Sequence, residues 1–207
     1  PTRARGRALK GECNNISKCA FEILVSPPRG DKRFFLRPLS AALAPMILKK
    51  VIAGGQTGVD RAALDAAMEL NIAIGGFCPQ GRRSEDGTIP EKYPLIETAS
   101  RDYGVRTEMN VRQADGTLLV TAGALAGGTK LTLEYAERYR KPYLIVRLDG
   151  KPDIESAALW IMSHALETLN VAGPRESSIT GGIYARAHDF LMRLFALLDS
   201  QANRRTP

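Results

Sequence analysis

The chain has 207 residues, with 29 Lys and Arg against 22 Asp and Glu, a formal charge of +7 and a sequence pI near 9.5. Its 44% hydrophobic and 25% charged content is that of a folded domain with a proper core, which excludes a wholly disordered or collagen-like polymer. No stretch approaches the ~20 apolar residues of a membrane span, and Cys13, Cys19 and Cys78 form neither a CxxC pair nor an even framework, so neither a disulfide scaffold nor a zinc site is encoded.

The basicity is local. Residues 1–45 hold nine basic residues (Arg3, Arg5, Arg7, Lys10, Lys18, Arg29, Lys32, Arg33, Arg37) and three acidic ones (Glu12, Glu22, Asp31), which leaves 20 basic and 19 acidic residues in the remainder. That segment has no sustained helical or strand period, contains the turn-prone Pro27-Pro28-Arg29-Gly30 and ends in Pro45. Met46 is the expected functional start. Residues 1–45 then form a basic extension: a translated upstream region, an Arg-rich organellar presequence, or an arm that binds acidic partners. Residues 46–200 are expected to form a single cytoplasmic ligand-binding domain and 201–207 a tail, with neither a membrane nor nucleic acid as the domain's partner.

Residues 51–53 read as a short buried strand, followed by a glycine-rich turn, Gly54-Gly55-Gln56-Thr57-Gly58-Val59-Asp60. A helix follows with Val59, Ala63, Ala66, Ala67 and Leu70 on one face, ending near Asn71, and residues 72–76 make a second strand. Such a unit implies a right-handed crossover between parallel strands. The polar stretch 78–94 exceeds an ordinary connection and reads as a lid or binding loop. Beyond it come a short extended piece at 94–98, a helix over 101–114 and a buried strand at 117–121. A second glycine-rich turn, Ala122-Gly123-Ala124-Leu125-Ala126-Gly127-Gly128, leads into a helix over 129–140 that Pro142 closes. A strand at 143–148, a helix over 154–167, a strand at 168–172 and a final helix carrying Tyr184, Ala187, His188, Leu191, Leu194, Phe195 and Leu198 complete the chain. This alternation specifies an α/β, Rossmann-like doubly wound parallel sheet with helices on both faces.

Ligands of such sheets bind at the carboxyl ends of the strands. Both glycine turns lie there, and each precedes a helix whose first N–H groups have no helical partner and favour an anion. The first is spaced GGxxG, which is neither the dinucleotide fingerprint nor a P-loop, and Thr57 with Asp60 is equally an acceptable helix-capping pair. In the second, Gly127, Gly128 and Thr129 offer amides. Glu134 either serves a bound ribosyl group as a stabilising carboxylate or pairs with Arg138 one helical turn on. Arg82, Arg106 and Arg175 are candidate phosphate ligands because a guanidinium matches phosphate oxygens bidentately. Arg175 is favoured among them, since it lies in the polar run from Asn170 through Gly173 to Ser177 at a strand end. His188 lies on an apolar stripe and reads as a core or interface residue, and Cys78 as structural.

Residues 50–67, with Gly54-Gly55-Gln56-Thr57-Gly58-Val59-Asp60-Arg61-Ala62-Ala63, resemble the molybdenum carrier family. So do Gly76-Phe77-Cys78-Pro79-Gln80-Gly81-Arg82, Arg106-Thr107-Glu108-Met109-Asn110-Val111, Asp115-Gly116-Thr117, Gly127-Gly128-Thr129 and Asn170-Val171-Ala172-Gly173-Pro174-Arg175-Glu176-Ser177. The resemblance spans nearly all of residues 47–198. It implies a non-catalytic protein that holds the pyranopterin molybdenum cofactor, or another phosphorylated ligand, with the glycine amides, the arginines and Asn110 or Asn170 as contacts. It also implies a homo-oligomer, dimer or tetramer, and a molybdoenzyme acceptor. The pterin's dithiolene ligates the metal, so no metal ligand is expected from the protein. The wider Rossmann-like group includes the Lonely Guy phosphoribohydrolases, whose PGGxGTxxE motif is similar to the stretch here that keeps Gly127, Gly128 and Glu134 at the same separation. Ala126, Lys130 and Leu131 depart from that motif. A nucleotide sensor, or an N-glycosidase using Glu134, is the alternative reading.

Overall fold

The computed structural model describes residues 48–203. The basic extension, the expected start at Met46 and residues 204–207 of the tail lie outside the described residues.

Val51 and Ile52 are fully buried in strand β1 (Lys50–Ile52), and the first glycine turn delivers the chain into helix α1 (Val59–Glu69), whose alanine-rich face is buried. The chain returns through β2 (Ala73–Gly75). The polar stretch then contains four two-residue strands: β3 (Phe77–Cys78), β4 (Arg83–Ser84), β5 (Gly87–Thr88) and β6 (Ile96–Glu97). β3 pairs with β6, and β4 with β5 as a small antiparallel hairpin. Helix α2 (Tyr103–Gln113) starts at Asp102, whose carboxylate accepts the Gly104 N–H at 2.8 Å.

β7 (Gly116–Thr121) is buried along its whole length and leads to α3 (Gly127–Arg138), which begins two residues before Thr129 because Ala126 takes the extended cap conformation. β8 (Tyr143–Arg147) forms the sheet edge. α4 (Ile154–Ser163) stops four residues short of the expected 167: Ala165 turns at φ +55° and Leu166 drops into the core before β9 (Thr168–Ala172). A single 3-10 turn (Glu176–Ser178) precedes α5 (Tyr184–Asn203), which runs three residues into the expected tail. The Glu176 carboxylate caps α5 by accepting the Ile183 and Tyr184 N–H groups at 2.9 and 2.8 Å.

The main sheet is parallel throughout, in the order β2-β1-β9-β7-β8. One register line runs Ile74, Val51, Leu169. Leu118 and Val120 join the large core formed with α1, α4 and α5. Leu119 points the other way, toward the side where α2 and α3 pack together, and a smaller cluster of Ala53, Leu64, Cys78, Ile89, Tyr93 and Leu95 lies beneath the polar stretch. The fold is therefore the doubly wound α/β sheet expected. Counted from β9, then β1, β2, β7 and β8, its order is 3-2-1-4-5, the ordinary doubly wound order. The strand that normally comes first is last in this chain. The point where the order reverses lies between β9 and β7.

Candidate functional site

At that reversal a cavity of about 390 Å³ opens at the carboxyl ends of β1, β7 and β9. Gln56 and Asp60 reach it from the first glycine turn and α1; Tyr103, Arg106 and Thr107 from α2; Thr121, Gly127, Gly128 and Thr129 from the second turn and α3; and Gly173, Pro174, Arg175 and Ser178 from the segment after β9. Its size is within the range of small-molecule sites.

Asp60 and Arg106 form a buried pair in the wall, with Arg106 Nη1 donating to Asp60 Oδ2 at 3.1 Å. Asp60 is 3% exposed. Burial pushes its carboxyl above the ordinary range, against the pull of Arg106 and of the Gln56 amide. The guanidinium lies so close over Gly54 that a Cβ there would sit 1.4 Å from Nη1. Arg106 Nε is buried and, among the described residues, is the one such side-chain atom without a hydrogen-bond partner. An orphaned cationic donor in a cavity wall calls for an acceptor.

The two glycine turns differ in what their amides do. In the first, the Thr57 N–H donates to Gln56 Oε1 at 3.0 Å, the Gln56 N–H to Asp60 at 3.3 Å and the Val59 N–H to the Pro174 carbonyl at 3.3 Å. Gly58 rather than Thr57 occupies the cap position of α1, and no side chain caps that helix. No side chain caps α3 either, and its leading residues Gly127, Gly128 and Thr129 all face the cavity.

Of the expected site residues, the cavity thus gathers Gln56, Asp60, Arg106, Gly127, Gly128, Thr129, Gly173 and Arg175. Thr57 and Ser177 lie alongside, and Gly54, Gly55 and Gly58 form the backbone behind. Four others are elsewhere. Arg82 donates to the carbonyls of Ile89, Leu95, Pro90 and Tyr93 at 2.9–3.2 Å and braces the polar stretch. Asn110 binds both backbone groups of Phe77, and Asn170 donates to Thr117 Oγ1 at 3.3 Å inside the sheet. Glu134 is 53% exposed and lies 3.9 Å from Lys130, not paired with Arg138. His188 lies within 3.0 Å of Glu69 and stacks on Tyr184.

The sequence reading missed Arg61, Glu85 and Asp86. Arg61 clamps the β4–β5 hairpin, donating to both Asp86 oxygens at 2.6 and 2.8 Å, to Ser84 Oγ at 3.1 Å and to the Gly55 carbonyl at 3.2 Å. These bonds, with that from Ser84, hold the Asp86 carboxyl at about 2. A depressed carboxyl supports the fold above its ordinary 3.8 and loses that support as pH falls through about 2. In an Arg61→Leu chain the Asp86 carboxyl carbon, followed by NMR, is expected to titrate near 3.8 instead of about 2. An unchanged midpoint would assign the shift to Ser84 and not to the clamp.

Residues 51–195 match the model of the circularly permutated YpsA SLOG family. A solved structure from Syntrophus aciditrophicus, named as a putative molybdenum carrier protein, is 46% identical over 73% of this chain and 96% of its own, with a TM-score of 0.67. No curated protein matches the chain.

Proposed function

The chain belongs to the circularly permutated YpsA SLOG family, and from that premise we propose that it is a non-catalytic carrier holding the molybdenum cofactor, or another phosphorylated ligand, in the cavity at the strand-order reversal. Gly128 carries the reading. It has ordinary helical backbone, a Cβ placed on it would meet nothing within 4 Å, and yet it lies in the first turn of α3, where alanine would be favoured by ~0.5–1 kcal/mol. The fold itself does not require glycine there. Close approach of a ligand's phosphate to the amides of Gly127 and Gly128 does.

Arg175 supplies a guanidinium from the segment after β9, and the unpartnered Arg106 Nε supplies a donor for a ring or carbonyl acceptor of the same ligand. The Asp60 carboxyl offers a group for a pterin's N–H edge. A cofactor whose dithiolene already ligates molybdenum asks of the protein only phosphate and pterin contacts, and this donor set fits that demand. With the reading go a molybdoenzyme acceptor, a homo-oligomeric assembly and a cytoplasmic site of action. Glu134, standing outside the cavity lining, lends no support to the N-glycosidase alternative.

Protein purified from its native source and denatured should release a phosphorylated pterin with molybdenum, identified by mass spectrometry and metal analysis, and should protect the cofactor during transfer to apo nitrate reductase. A nucleotide in that spectrum would install the sensor reading; no phosphorylated compound and no protection would defeat both. Gly128→Ala is expected to keep or raise the melting temperature while weakening the released ligand's binding at least about tenfold. Undiminished binding would remove Gly128 from the argument.

A further inference from the structure

Glu85, at the tip of the β4–β5 hairpin, has its carboxylate in a cradle built by two separate segments, the first glycine turn and the stretch after β9. One oxygen accepts the Thr57 hydroxyl and the Ser177 N–H at 3.2 Å; the other accepts the Ser177 hydroxyl and lies 3.3 Å from Arg175 Nε. The Glu176 N–H donates to Thr57 Oγ1 at 3.2 Å, which leaves the Thr57 proton for the carboxylate. Two hydroxyls, an amide and a guanidinium around two oxygens is the donor set of an anion site. Burial opposes ionisation of Glu85, but the bonds from Ser177 and Thr57 outweigh it and hold the carboxyl below its usual range.

This cradle adjoins the cavity. Arg175 belongs to both, and cavity-lining Gln56 accepts the Glu85 N–H at 2.9 Å. The occupant is also weakly anchored. From Arg83 to Thr88 the hairpin has no apolar side chain, five of its six residues, all but Ser84, are exposed, with the Glu85 side chain itself 16% exposed, and its hold on the domain is polar, through Arg61, Gln56 and the cradle, with Arg83 lying 6.0 Å over the Tyr103 ring.

We propose that Thr57, Arg175 and Ser177 form an anion subsite continuous with the cavity, in which Glu85 is a displaceable internal occupant that leaves when a second acidic group of the ligand enters. The proposal rests on the reading of the cavity as an anionic-ligand site and adds that the ligand is at least doubly acidic. On binding, the ligand exchanges one carboxylate for its own oxygens at the same four donors, and the hairpin swings free of Arg175.

Inorganic pyrophosphate is the probe, titrated calorimetrically into the full 207-residue chain. Glu85→Ala is expected to bind it at least about tenfold more tightly than wild type, because the resident competitor is gone, and Glu85→Ala with Ser177→Ala to lose that gain. No gain in Glu85→Ala, or a gain that survives removal of Ser177, overturns the proposal. Should Glu85→Ala fail to fold by circular dichroism, wild type decides: trypsin should cut after Arg82 or Arg83 at least about threefold faster with saturating pyrophosphate, and an unchanged or slower rate overturns it. The two readings fail separately. A phosphorylated ligand released from native protein with no pyrophosphate gain in Glu85→Ala removes the subsite alone, and a gain with no released ligand removes the carrier reading alone.

Discussion

An Arg106→Leu chain is expected to be about 3–5 kcal/mol less stable than wild type at neutral pH, and to recover part of that loss on acidification. The substitution leaves Asp60, with its side chain 4% exposed, as a buried carboxylate without its cation. In wild type the carboxyl is already raised by burial, with Arg106 the largest opposing influence. A group whose folded pKa is raised binds protons more readily folded than unfolded, so its contribution is fullest below the ordinary 3.8 and declines as pH rises through the folded value. Removing Arg106 moves that upper limit further up. Urea melts at pH 7 and pH 5 should therefore converge toward wild type at the lower pH, and Asp60→Asn added to Arg106→Leu should restore most of the stability at pH 7. A loss independent of pH, with no rescue in the double variant, would place the cost in packing over Gly54 instead.

Gly173→Ala is the second large effect. A Cβ there would sit 2.4 Å from the Val120 carbonyl oxygen and 2.5 Å from Val59 Cγ2. The first of these is backbone of the interior strand β7, which cannot turn aside, so β7 and β9 must part at the mouth of the cavity. The expected cost is about 2–3 kcal/mol, or a melting temperature roughly 5–10 °C lower, accompanied by loss of the bound ligand. Paired with Gly128→Ala, this separates two kinds of glycine on one cavity: Gly173, where a Cβ would meet backbone, and Gly128, where it would meet nothing within 4 Å. A Gly173→Ala chain melting within a degree or two of wild type would show that the strands tolerate the displacement.

The elements were legible because apolar runs such as Leu118-Leu119-Val120 and stripes such as Ile154, Ala158 and Ile161 record burial locally. Strand order was not, since the placement of β9 between β1 and β7 depends on pairs far apart in sequence, such as Val51 with Leu169 and Leu118 with Val171. In sequence the two glycine turns therefore looked alike, although the chain itself engages the amides of the first. Asn110, Asn170 and Arg82 look in sequence like ligand contacts, but a polar side chain that satisfies buried backbone has the same composition as one that awaits a ligand. The hairpin's contacts were hidden for a related reason: nothing local to the loop at 78–94 shows that Ser177 and Arg61 are brought to Glu85 and Asp86 across 92 and 25 residues.

The permuted strand order also sets a timetable for synthesis. A nascent chain that ends before Thr168 contains the β1–β2 and β7–β8 pairs but not the strand that hydrogen-bonds to both. Until β9 emerges, the inner edges of two half-sheets stand open, and such edges pair readily with those of other chains. The cavity comes later still, because Arg175 and Ser178 are among the last of its residues to be made. The cavity is therefore complete only in a chain that has passed Ile179, and a chain truncated after β8 exposes both edges and lacks that wall.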